Sequence, residues 1–578
     1  MPIPALPPAL RHVRHQLDRW GWDALALALL LGLGLAFLPA IGGAIPGPPS
    51  GGLEGARSLP CWATTADLLL VGPDAGAWAS SATNVRMGAW ESLDIHRMPT
   101  FPLLVGGLLH LQPDVALAGH LLNHLLMLAL PLVIYGLGRA GGGRALGLAA
   151  GVLVACLGPQ ISASRMYGID TTITFMIPAS LLATLAVRRW WWLAPVAGLI
   201  TALACVSHYT TLPMFLPPLI LLILGGPRSW WRRVLAVLLF LGAGAFLVWG
   251  LAQVFPFPNP REFQQAVSEG IAPGSASSAA PELSGRARAI LQAGAQGALL
   301  KAARDALTIV RPAWLPWDLV SALTLLGVLG LGLGSSRPAG DRPRWRRVLA
   351  SFDLPLGLAL LATLAPLPVL AAAGAPERYG WNLLPALALL LARGMFALPR
   401  WADHGIHLLQ KRWPIGALGL PLALAVAVGA WTDGSASRYL LPPSMDGLEV
   451  RRLGELIAAH FPPGGGAVCS LREAAAHAGR SYCPGTPCPF GVSTRFFTMC
   501  LEAIDKECAG EGPVPYVVIE QAEGLPHTAL DAGGNGPRRP EQVAFEDWLL
   551  ERNTPIATLQ TRQFKASIIA LPRQEPGR

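Results

Sequence analysis

Long apolar segments recur along the chain and allow few folds. About eleven of them approach the roughly 20 apolar residues that a helix needs to cross a bilayer. Over 578 residues the chain is 52% hydrophobic and only 14% charged, with a mean hydropathy of +0.44. This composition excludes a purely soluble globular protein and predicts an all-α polytopic membrane protein. The predicted spans are residues 22–41, 113–137, 145–157, 171–187, 190–206, 210–224, 234–254, 317–333, 354–373, 383–398 and 414–431.

The net charge of +9 is distributed in a way that indicates topology rather than nucleic-acid binding. Basic residues concentrate in alternate loops, which the positive-inside rule assigns to the cytoplasm. The short basic segment 1–21 would then be cytoplasmic, and we interpret the span after it as uncleaved. The cytoplasmic loops hold Arg139 and Arg144; Arg188 and Arg189; Arg228, Arg232 and Arg233; Arg337, Arg342, Arg344, Arg346 and Arg347; and Arg400, Lys411 and Arg412.

Three domains follow from these patterns. After the N-terminal segment, residues 22–432 form the transmembrane domain, with a first outer loop at 46–112 and another at 255–316. After residue 432 the hydropathy pattern changes. An amphipathic helix at 445–461 and strand patterns at 467–470, 516–520, 556–561 and 566–571 predict a small extracytoplasmic α/β domain over 433–578.

Cysteines support an outer location for this domain. Six of the eight fall on the predicted outer side, where disulfide bonds can form. Their spacing matches no paired C-x-x-C zinc arrangement, so disulfides are favoured over zinc. These cysteines are Cys61, Cys469, Cys483, Cys488, Cys500 and Cys508.

The first outer loop is unusually rich in titratable groups. Residues 71–104 read VGPDAGAWASSATNVRMGAWESLDIHRMPTFPLL and include Asp74, Asp94, His96 and Arg97. Apolar residues at three- and four-residue spacings predict a helix over 75–89, lying along the membrane surface, with Asp74 as its N-cap. A capping role does not exclude a catalytic one.

Further polar residues occur at the predicted outer ends of other spans. Arg165 and Asp170 precede the fourth span, His208 follows the fifth, and Arg378 and Tyr379 precede the tenth. A guanidinium group suits phosphate oxygens, although such residues can also simply contact lipid headgroups or cap helices.

Two histidines, His120 and His124, share one face of the second span. A divalent metal is conceivable there, but no carboxylate accompanies them within the helix. We therefore expect interhelical hydrogen bonds and no metal or other cofactor.

A carboxylate beside arginines at a membrane surface suits an enzyme that transfers a group to the hydroxyl of an acceptor. The carboxylate can take the proton of the hydroxyl, and arginine or histidine can stabilise a departing phosphate. Outside the membrane the donor would have to arrive attached to a lipid.

The sequence resembles the GT-C superfamily of integral-membrane glycosyltransferases, in particular bacterial protein O-mannosyltransferases and aminoarabinose transferases. The similarity lies in the early Asp74 and the later HRMPTFPLL of the first outer loop, in RMYGIDTTITF, and in ERYGWNLLPALALLLARG. The chain has Ala75 where many relatives have a second acidic residue.

The resemblance implies an inverting hexosyl- or pentosyltransferase. Asp74 would be the catalytic base and the donor a polyprenyl-phosphate sugar. Substrate-binding candidates are Asp94, His96, Arg97, Arg165, Asp170, His208, Arg378 and Tyr379. The partners would be this donor, membrane lipids and an acceptor glycan, lipid or protein, at the outer face of a bacterial inner membrane.

Two other functions remain open from the sequence. The chain could be a transporter or flippase of lipid-linked glycans, or a non-catalytic envelope assembly protein. The sequence shows no clear internal repeat, and its titratable residues gather on one side of the membrane. Both features favour the enzyme over the transporter.

Overall fold

The computed structural model describes the helical body of the chain and parts of the C-terminal region. The described residues are 21–35, 70, 75–88, 98–156, 167–255, 353–364, 382–405, 445–460, 466–469, 481–482, 516–522, 550–551, 554–560 and 564–570.

Most of the helices coincide with the predicted apolar spans; α2 and α12 are more polar, and α3 lies within the segment predicted as the first outer loop. In chain order they are α1 (Gly21–Leu35), α2 (Ala75–Met87), α3 (Thr100–Leu108), α4 (Val115–Gly142), α5 (Arg144–Ala155), α6 (Asp170–Val187), α7 (Ala194–Cys205), α8 (Leu216–Gly225), α9 (Trp230–Val254), α10 (Asp353–Leu364), α11 (Leu384–Gly405) and α12 (Met445–His460). Short 3-10 turns precede α7 and α8, at Trp191–Leu193 and Tyr209–Phe215.

Three of these helices are long and apolar enough to cross a bilayer: α4, α6 and α9. Six apolar stretches are shorter: Gly21–Leu35, Arg144–Ala155, Trp191–Cys205, Thr211–Gly225, Pro355–Leu364 and Leu384–Met395. The prediction of a mostly helical, multi-pass membrane protein is confirmed. The predicted spans 317–333 and 414–431 lie outside the described residues.

The helices pack closely where their residues are small. Gly138 of α4 faces Gly147 of α5, and a Cβ on Gly138 would lie 2.8 Å from the Gly147 Cα. Small residues at such crossings allow helix backbones to approach inside a membrane. Helix α9 behaves differently, because only 11% of its apolar window is buried within the molecule. Its outer surface is therefore the part that would face lipid.

A buried carboxylate fixes α1 to the turn between α4 and α5. Asp23 accepts a hydrogen bond of 2.5 Å from the Tyr135 hydroxyl and lies 2.7 Å from the Arg139 guanidinium and 3.1 Å from Nε of Arg144. Charged groups are costly to bury unless paired, and these three partners provide the compensation.

The C-terminal region contains a five-stranded mixed sheet. Its strands are β1 (Gly466–Cys469), β2 (Ser481–Tyr482), β3 (Tyr516–Ala522), β4 (Ala557–Gln560) and β5 (Phe564–Ala570), in the order β2-β1-β3-β5-β4. β1 pairs in parallel with β2 and β3, while β5 pairs antiparallel with β3 and β4.

Four of these strands lie at the positions that the alternating and β-branched patterns predict. The two-residue β2 was not predicted, because so short a segment has no period to detect. The predicted cysteine pairings concern side chains outside the described part. Within that part, Cys156 and Cys205 are buried free thiols.

Candidate functional site

Segments far apart in sequence meet at one end of the helical body. A single buried cluster joins α2 and α3, the start of α4, the turn before α6, the turn after α7 and the residue before α11. Its members include Ala75, Trp78, Phe101, Val105, Val115, Tyr167, Ile169, Ile173, Met214 and Leu383. We call this the convergent cluster. Two predicted outer loops contribute to it, the first outer loop and the loop before α6, together with residues near the ends of other predicted spans.

Aromatic rings connect the parts of the convergent cluster. Phe101 makes edge-to-face contacts with Trp78 at 5.7 Å and with Tyr167 at 5.5 Å between ring centroids. Tyr167 in turn meets His120 of α4 at 5.8 Å. The Tyr167 ring fits because α4 has glycine at 119, where a Cβ would lie 2.1 Å from a ring carbon.

Helix α2 is covered more fully than the sequence predicts. A surface helix would bury one face only, yet Ser80, Ser81, Thr83 and Asn84 are buried together with Trp78. Helices α3 and α4 and strand β2 all contact α2. Parts of both the helical body and the C-terminal sheet therefore enclose the helix that follows Asp74 in the sequence.

The end of the first outer loop is fixed beside His208. The Thr100 hydroxyl lies 2.9 Å from the Leu203 carbonyl oxygen and 3.0 Å from that of Val206. The turn after α7 is closed by Thr211, whose hydroxyl accepts a hydrogen bond of 3.1 Å from the His208 backbone N–H. The structure thus brings one predicted site residue, His208, next to the segment that follows Arg97.

Asp170 lies in the first turn of α6 and is buried, with 8% of its surface exposed. An acidic residue in the first turn of a helix is a favourable arrangement. One turn further, the Thr174 hydroxyl lies 2.8 Å from the Asp170 carbonyl oxygen and 2.9 Å from the side-chain oxygen of Asn382. Asn382 follows Arg378 and Tyr379 in the sequence, so this contact joins the tenth predicted span to the site.

Three buried hydroxyl groups in this region make no hydrogen bond to any part of the chain that the structure describes. They belong to Tyr167, Thr171 and Thr172. Burial raises the pKa of Tyr167 well above 10.0, and the nearby charge of Asp114 raises it further. Tyr167 is therefore a neutral phenol at physiological pH and can donate a hydrogen bond.

Asp114 is a residue that sequence reasoning missed. One of its carboxylate oxygens caps α4 by accepting a 3.0 Å hydrogen bond from the Leu117 N–H. The other lies 2.6 Å from the guanidinium of Arg451 in α12. The Pro-Asp pair before an apolar helix was the available signal for the cap. The sequence contains no signal for the contact with Arg451, 337 residues away.

The paired histidines of α4 are buried and their rings stack at 6.2 Å between centroids. Among the described residues no group of three or more His, Cys, Asp or Glu side chains is suited to hold a metal ion. What the structure establishes for His120 is its ring contact with Tyr167.

Seven predicted site residues lie outside the described part of the chain: Asp74, Asp94, His96, Arg97, Arg165, Arg378 and Tyr379. Their described neighbours in sequence are informative. Ala75 follows Asp74, Met98 follows Arg97, Tyr167 is two residues after Arg165, and Asn382 is three after Tyr379. These four neighbours are all buried.

A small, mostly apolar crevice between α4, α6, α10 and α11 includes Asn382 in its lining and has room for about one water molecule. Ile134, Ile177, Leu360 and Leu389 contribute apolar surface, and Thr363 and Asn382 are its polar lining residues.

The comparisons with known proteins concern the fold. No family model and no curated protein matches the sequence. The chain is similar to ArnT from Cupriavidus metallidurans bound to undecaprenyl phosphate, at 16% identity and a TM-score of 0.44, over 95% of this chain and 98% of that one. It is also similar to the archaeal oligosaccharyltransferase AglB from Archaeoglobus fulgidus in complex with an inhibitory peptide and a dolichol-phosphate, at 13% identity and a TM-score of 0.45, over 87% of this chain and 69% of that one.

The Archaeoglobus fulgidus oligosaccharyltransferase in complex with Zn and sulfate gives 13% identity and a TM-score of 0.49, over 85% of this chain and 67% of that one. All three similarities are of fold only, at low sequence identity.

Proposed function

We propose that the chain is a glycosyltransferase that moves a sugar from a polyprenyl-phosphate donor to an acceptor hydroxyl at the outer face of a bacterial inner membrane. The observation that carries this proposal is the convergent cluster. It joins the first outer loop and the loop before α6 with the ends of other predicted spans, and the polar residues chosen from the sequence adjoin those segments.

Asp74 is the proposed catalytic base. It directly precedes α2, whose first residue is fully buried in the convergent cluster. The acceptor oxygen attacks the anomeric carbon of the donor, the bond from that carbon to the phosphate oxygen breaks, and the acceptor proton passes to the Asp74 carboxylate. Attack from the side opposite the phosphate inverts the anomeric centre, and polyprenyl phosphate departs with the bonding electrons.

Arg97, Arg165 and Arg378 are the proposed contacts of the departing phosphate, with Asp94, His96 and Tyr379 as further substrate contacts. Guanidinium groups match phosphate oxygens and stabilise the charge that develops as the bond breaks. Described residues support a polar site here, because Asp170 and His208 occupy the same end of the helical body. No cofactor is needed in this scheme.

The hydroxyls of Tyr167, Thr171 and Thr172 are proposed to donate hydrogen bonds within this site. Buried polar groups are normally paired, so hydroxyls without a partner in the described structure suit a ligand.

The C-terminal region is proposed to be an extracytoplasmic α/β domain that covers the site. Two contacts support this arrangement: Arg451 of α12 binds Asp114 at the start of α4, and β2 contacts α2. Both contacts lie at the end of the helical body where the convergent cluster is found.

The test is transfer of radiolabelled sugar from a polyprenyl-phosphate donor pool in membranes that contain the wild type or Asp74→Asn. Asparagine keeps the size and the ability to cap a helix, but it cannot act as a carboxylate base. Removing a general base lowers the rate by about 100-fold to 10,000-fold, so we expect transfer by the variant to fall in this range while membrane insertion is unchanged.

Asp94→Asn and Asp170→Asn serve as matched controls, since each removes one carboxylate of the same predicted side. Each is expected to retain more activity than Asp74→Asn. Full transfer by Asp74→Asn would assign Asp74 to capping alone. Absence of transfer by the wild type with every donor supplied would instead favour a lipid-glycan transporter or an assembly protein.

A further inference from the structure

Arginine and tryptophan residues are grouped at the end of the helical body opposite the convergent cluster. The turn between α6 and α7 reads RRWWW, and the turn from α8 into α9, which includes the first four residues of α9, reads PRSWWRR. We call these two turns the arginine–tryptophan patch. Helix α6 runs from the convergent cluster to this patch, and its 18 residues correspond to about 27 Å at 1.5 Å per residue. The patch is therefore separate from the proposed catalytic site.

Side-chain contacts hold the two turns together. The Trp191 and Trp231 rings meet edge to face, with centroids 6.3 Å apart. Arg189 lies over the Trp190 ring at 4.9 Å, and Arg232 lies over the Trp231 ring at 5.2 Å. These cation–π contacts orient the guanidinium groups at one surface of the molecule.

The charge of the patch is all of one sign. Five arginines lie in the two turns and no acidic residue does: Arg188, Arg189, Arg228, Arg232 and Arg233. Partial burial lowers the pKa of Arg188, and the positive charge of Arg228 lowers it further. The two turns thus bring together guanidinium groups that repel each other, an arrangement that an anion would relieve.

Exposed apolar surface continues directly from these charges. Trp192 and Trp230 are 60% and 75% exposed. From Trp230 onward, α9 presents Leu238 and Phe246 on the outside of the molecule, at 61% and 69% exposure. A ligand that fits this surface has a negatively charged head for the guanidinium groups and hydrocarbon chains for α9.

We propose that the arginine–tryptophan patch is a binding site for an anionic phospholipid of the bilayer. The phosphate contacts Arg188, Arg189, Arg228 and Arg232, the indole rings lie at the level of the headgroup, and an acyl chain follows α9. Tryptophan is favoured at this depth of a membrane, and basic residues beside it attract anionic lipid. Arg233 braces the site, because its Nε donates to the Pro227 carbonyl oxygen at 3.1 Å.

The experiment uses the full-length protein, purified and delipidated in a mild detergent. Phosphatidylglycerol or cardiolipin is added, phosphatidylcholine is added in parallel, and inorganic phosphate forms a third arm. Bound lipid is measured by native mass spectrometry, and the melting temperature is followed as a function of lipid concentration, because a ligand of the folded state raises it.

We expect anionic lipid to bind and to raise the melting temperature, while phosphatidylcholine and inorganic phosphate do not. The double variant Arg189→Gln/Arg232→Gln and the fourfold variant that adds Arg188→Gln and Arg228→Gln should weaken anionic-lipid binding at least tenfold. Arg86→Gln is the matched control, since Arg86 is an exposed arginine of α2 outside the patch; its lipid affinity should equal that of the wild type.

A second measurement distinguishes binding from misfolding. Without lipid, Arg228→Gln should melt at the same or a higher temperature than the wild type, because it removes a repulsion, and yet it should gain less from anionic lipid. Equal lipid affinity of the fourfold variant and the wild type would overturn the proposal. So would an equal response to phosphatidylcholine, or to inorganic phosphate alone.

Discussion

Tyr167 combines close ring packing with a buried hydroxyl that is unsatisfied within the described part of the chain. Its ring is held between Phe101 and His120 and is accommodated by Gly119. Its hydroxyl is buried without a hydrogen bond to any described group. Burying an unsatisfied hydroxyl costs about 1–3 kcal/mol. A cost of this size is reasonable where the hydroxyl forms a hydrogen bond with a substrate.

Tyr167→Phe should separate stability from function. The variant keeps the ring contacts and removes the buried hydroxyl, so its free energy of unfolding should be unchanged or higher by about 1–2 kcal/mol. Sugar transfer should nevertheless fall about tenfold, the effect of losing one hydrogen bond worth about 1.4 kcal/mol. Transfer assays and denaturant unfolding of the purified protein measure the two quantities.

Tyr135→Phe is the matched control for this variant, because the Tyr135 hydroxyl donates to Asp23 far from the convergent cluster. It should lower stability by about 1–2 kcal/mol and leave transfer per folded molecule unchanged. If Tyr167→Phe unfolds more easily than the wild type and transfers sugar normally, the hydroxyl of Tyr167 has a structural partner instead of a substrate.

The raised pKa of Tyr167 also sets a pH dependence. Below pH 10.0, the ordinary pKa of tyrosine, the folded and unfolded states both keep the proton and the contribution of Tyr167 to stability is complete. Above that pH the unfolded state loses its proton first, so stability declines as the pH rises toward the folded-state pKa. Tyr167→Phe should remove this part of the alkaline decline.

At the residue scale, the sequence predicts where polar residues lie better than it predicts which residues they contact. Asp170 and His208 were chosen because they are polar residues at the ends of apolar runs, and both lie at the end of the helical body that holds the convergent cluster. Asn382 and Asp114 were not chosen as site residues. Their roles depend on Thr174 and Arg451, which are 208 and 337 residues away in the sequence. Hydropathy and spacing carry no information about such long-range pairs.

At the scale of elements, close helix contacts depend on single glycines. Gly198 of α7 lies against the backbone of α9, and a Cβ added to it would be 2.2 Å from the Phe240 carbonyl oxygen. The Phe240 carbonyl is part of the α9 backbone and the added Cβ is attached directly to the α7 backbone. Neither can rotate away, so the two helices would have to separate. Gly242 of the same α9 has no heavy atom within 4 Å of its added Cβ.

Gly198→Ala should therefore destabilise the protein by about 1–3 kcal/mol through overpacking, whereas Gly242→Ala should be neutral or stabilising by up to about 1 kcal/mol through helix propensity. Melting of both variants in the same detergent measures the difference. Equal melting temperatures for the two variants would show that α7 and α9 do not cross at Gly198.

Helices were predictable as elements because apolar runs of this length have few alternatives in a membrane. The short turns at Trp191–Leu193 and Tyr209–Phe215 were absorbed into the predicted spans, since 3-10 turns leave the same apolar pattern as the helices they precede. The enclosure of α2 was not predictable either. Helices α3 and α4 and strand β2 pack on it, and a helical spacing of apolar residues does not indicate which elements will pack on the polar face.

At the scale of the whole molecule, the two ends of the helical body have opposite character. One end gathers buried hydroxyls, Asp170 and His208 around aromatic rings. The other end exposes arginine and tryptophan beside lipid-facing α9. This polarity agrees with the proposed topology, in which chemistry occurs at the outer face and positive charge remains at the cytoplasmic face.

The C-terminal region joins the outer end through the pair Asp114 and Arg451. The Arg451 guanidinium lies 2.6 Å from Asp114 and, through its Nε, 3.2 Å from Glu455 one turn later in α12. The side chains of Arg451 and Asp114 are 9% and 23% exposed, so solvent screens this pair less than an ordinary surface salt bridge. Loss of this salt bridge should affect both the helical body and the C-terminal region.

A double-mutant cycle with Asp114→Asn and Arg451→Gln tests this connection. Asparagine can still cap α4, so the cycle isolates the charge pair. We expect a coupling energy of about 1–3 kcal/mol. Each single variant should also show faster amide hydrogen exchange in α12, because the attraction between Asp114 and Arg451 is lost. Additive effects on stability, with exchange in α12 unchanged, would mean that α12 is held on the helical body by other contacts and that this salt bridge does not position the C-terminal region over the site.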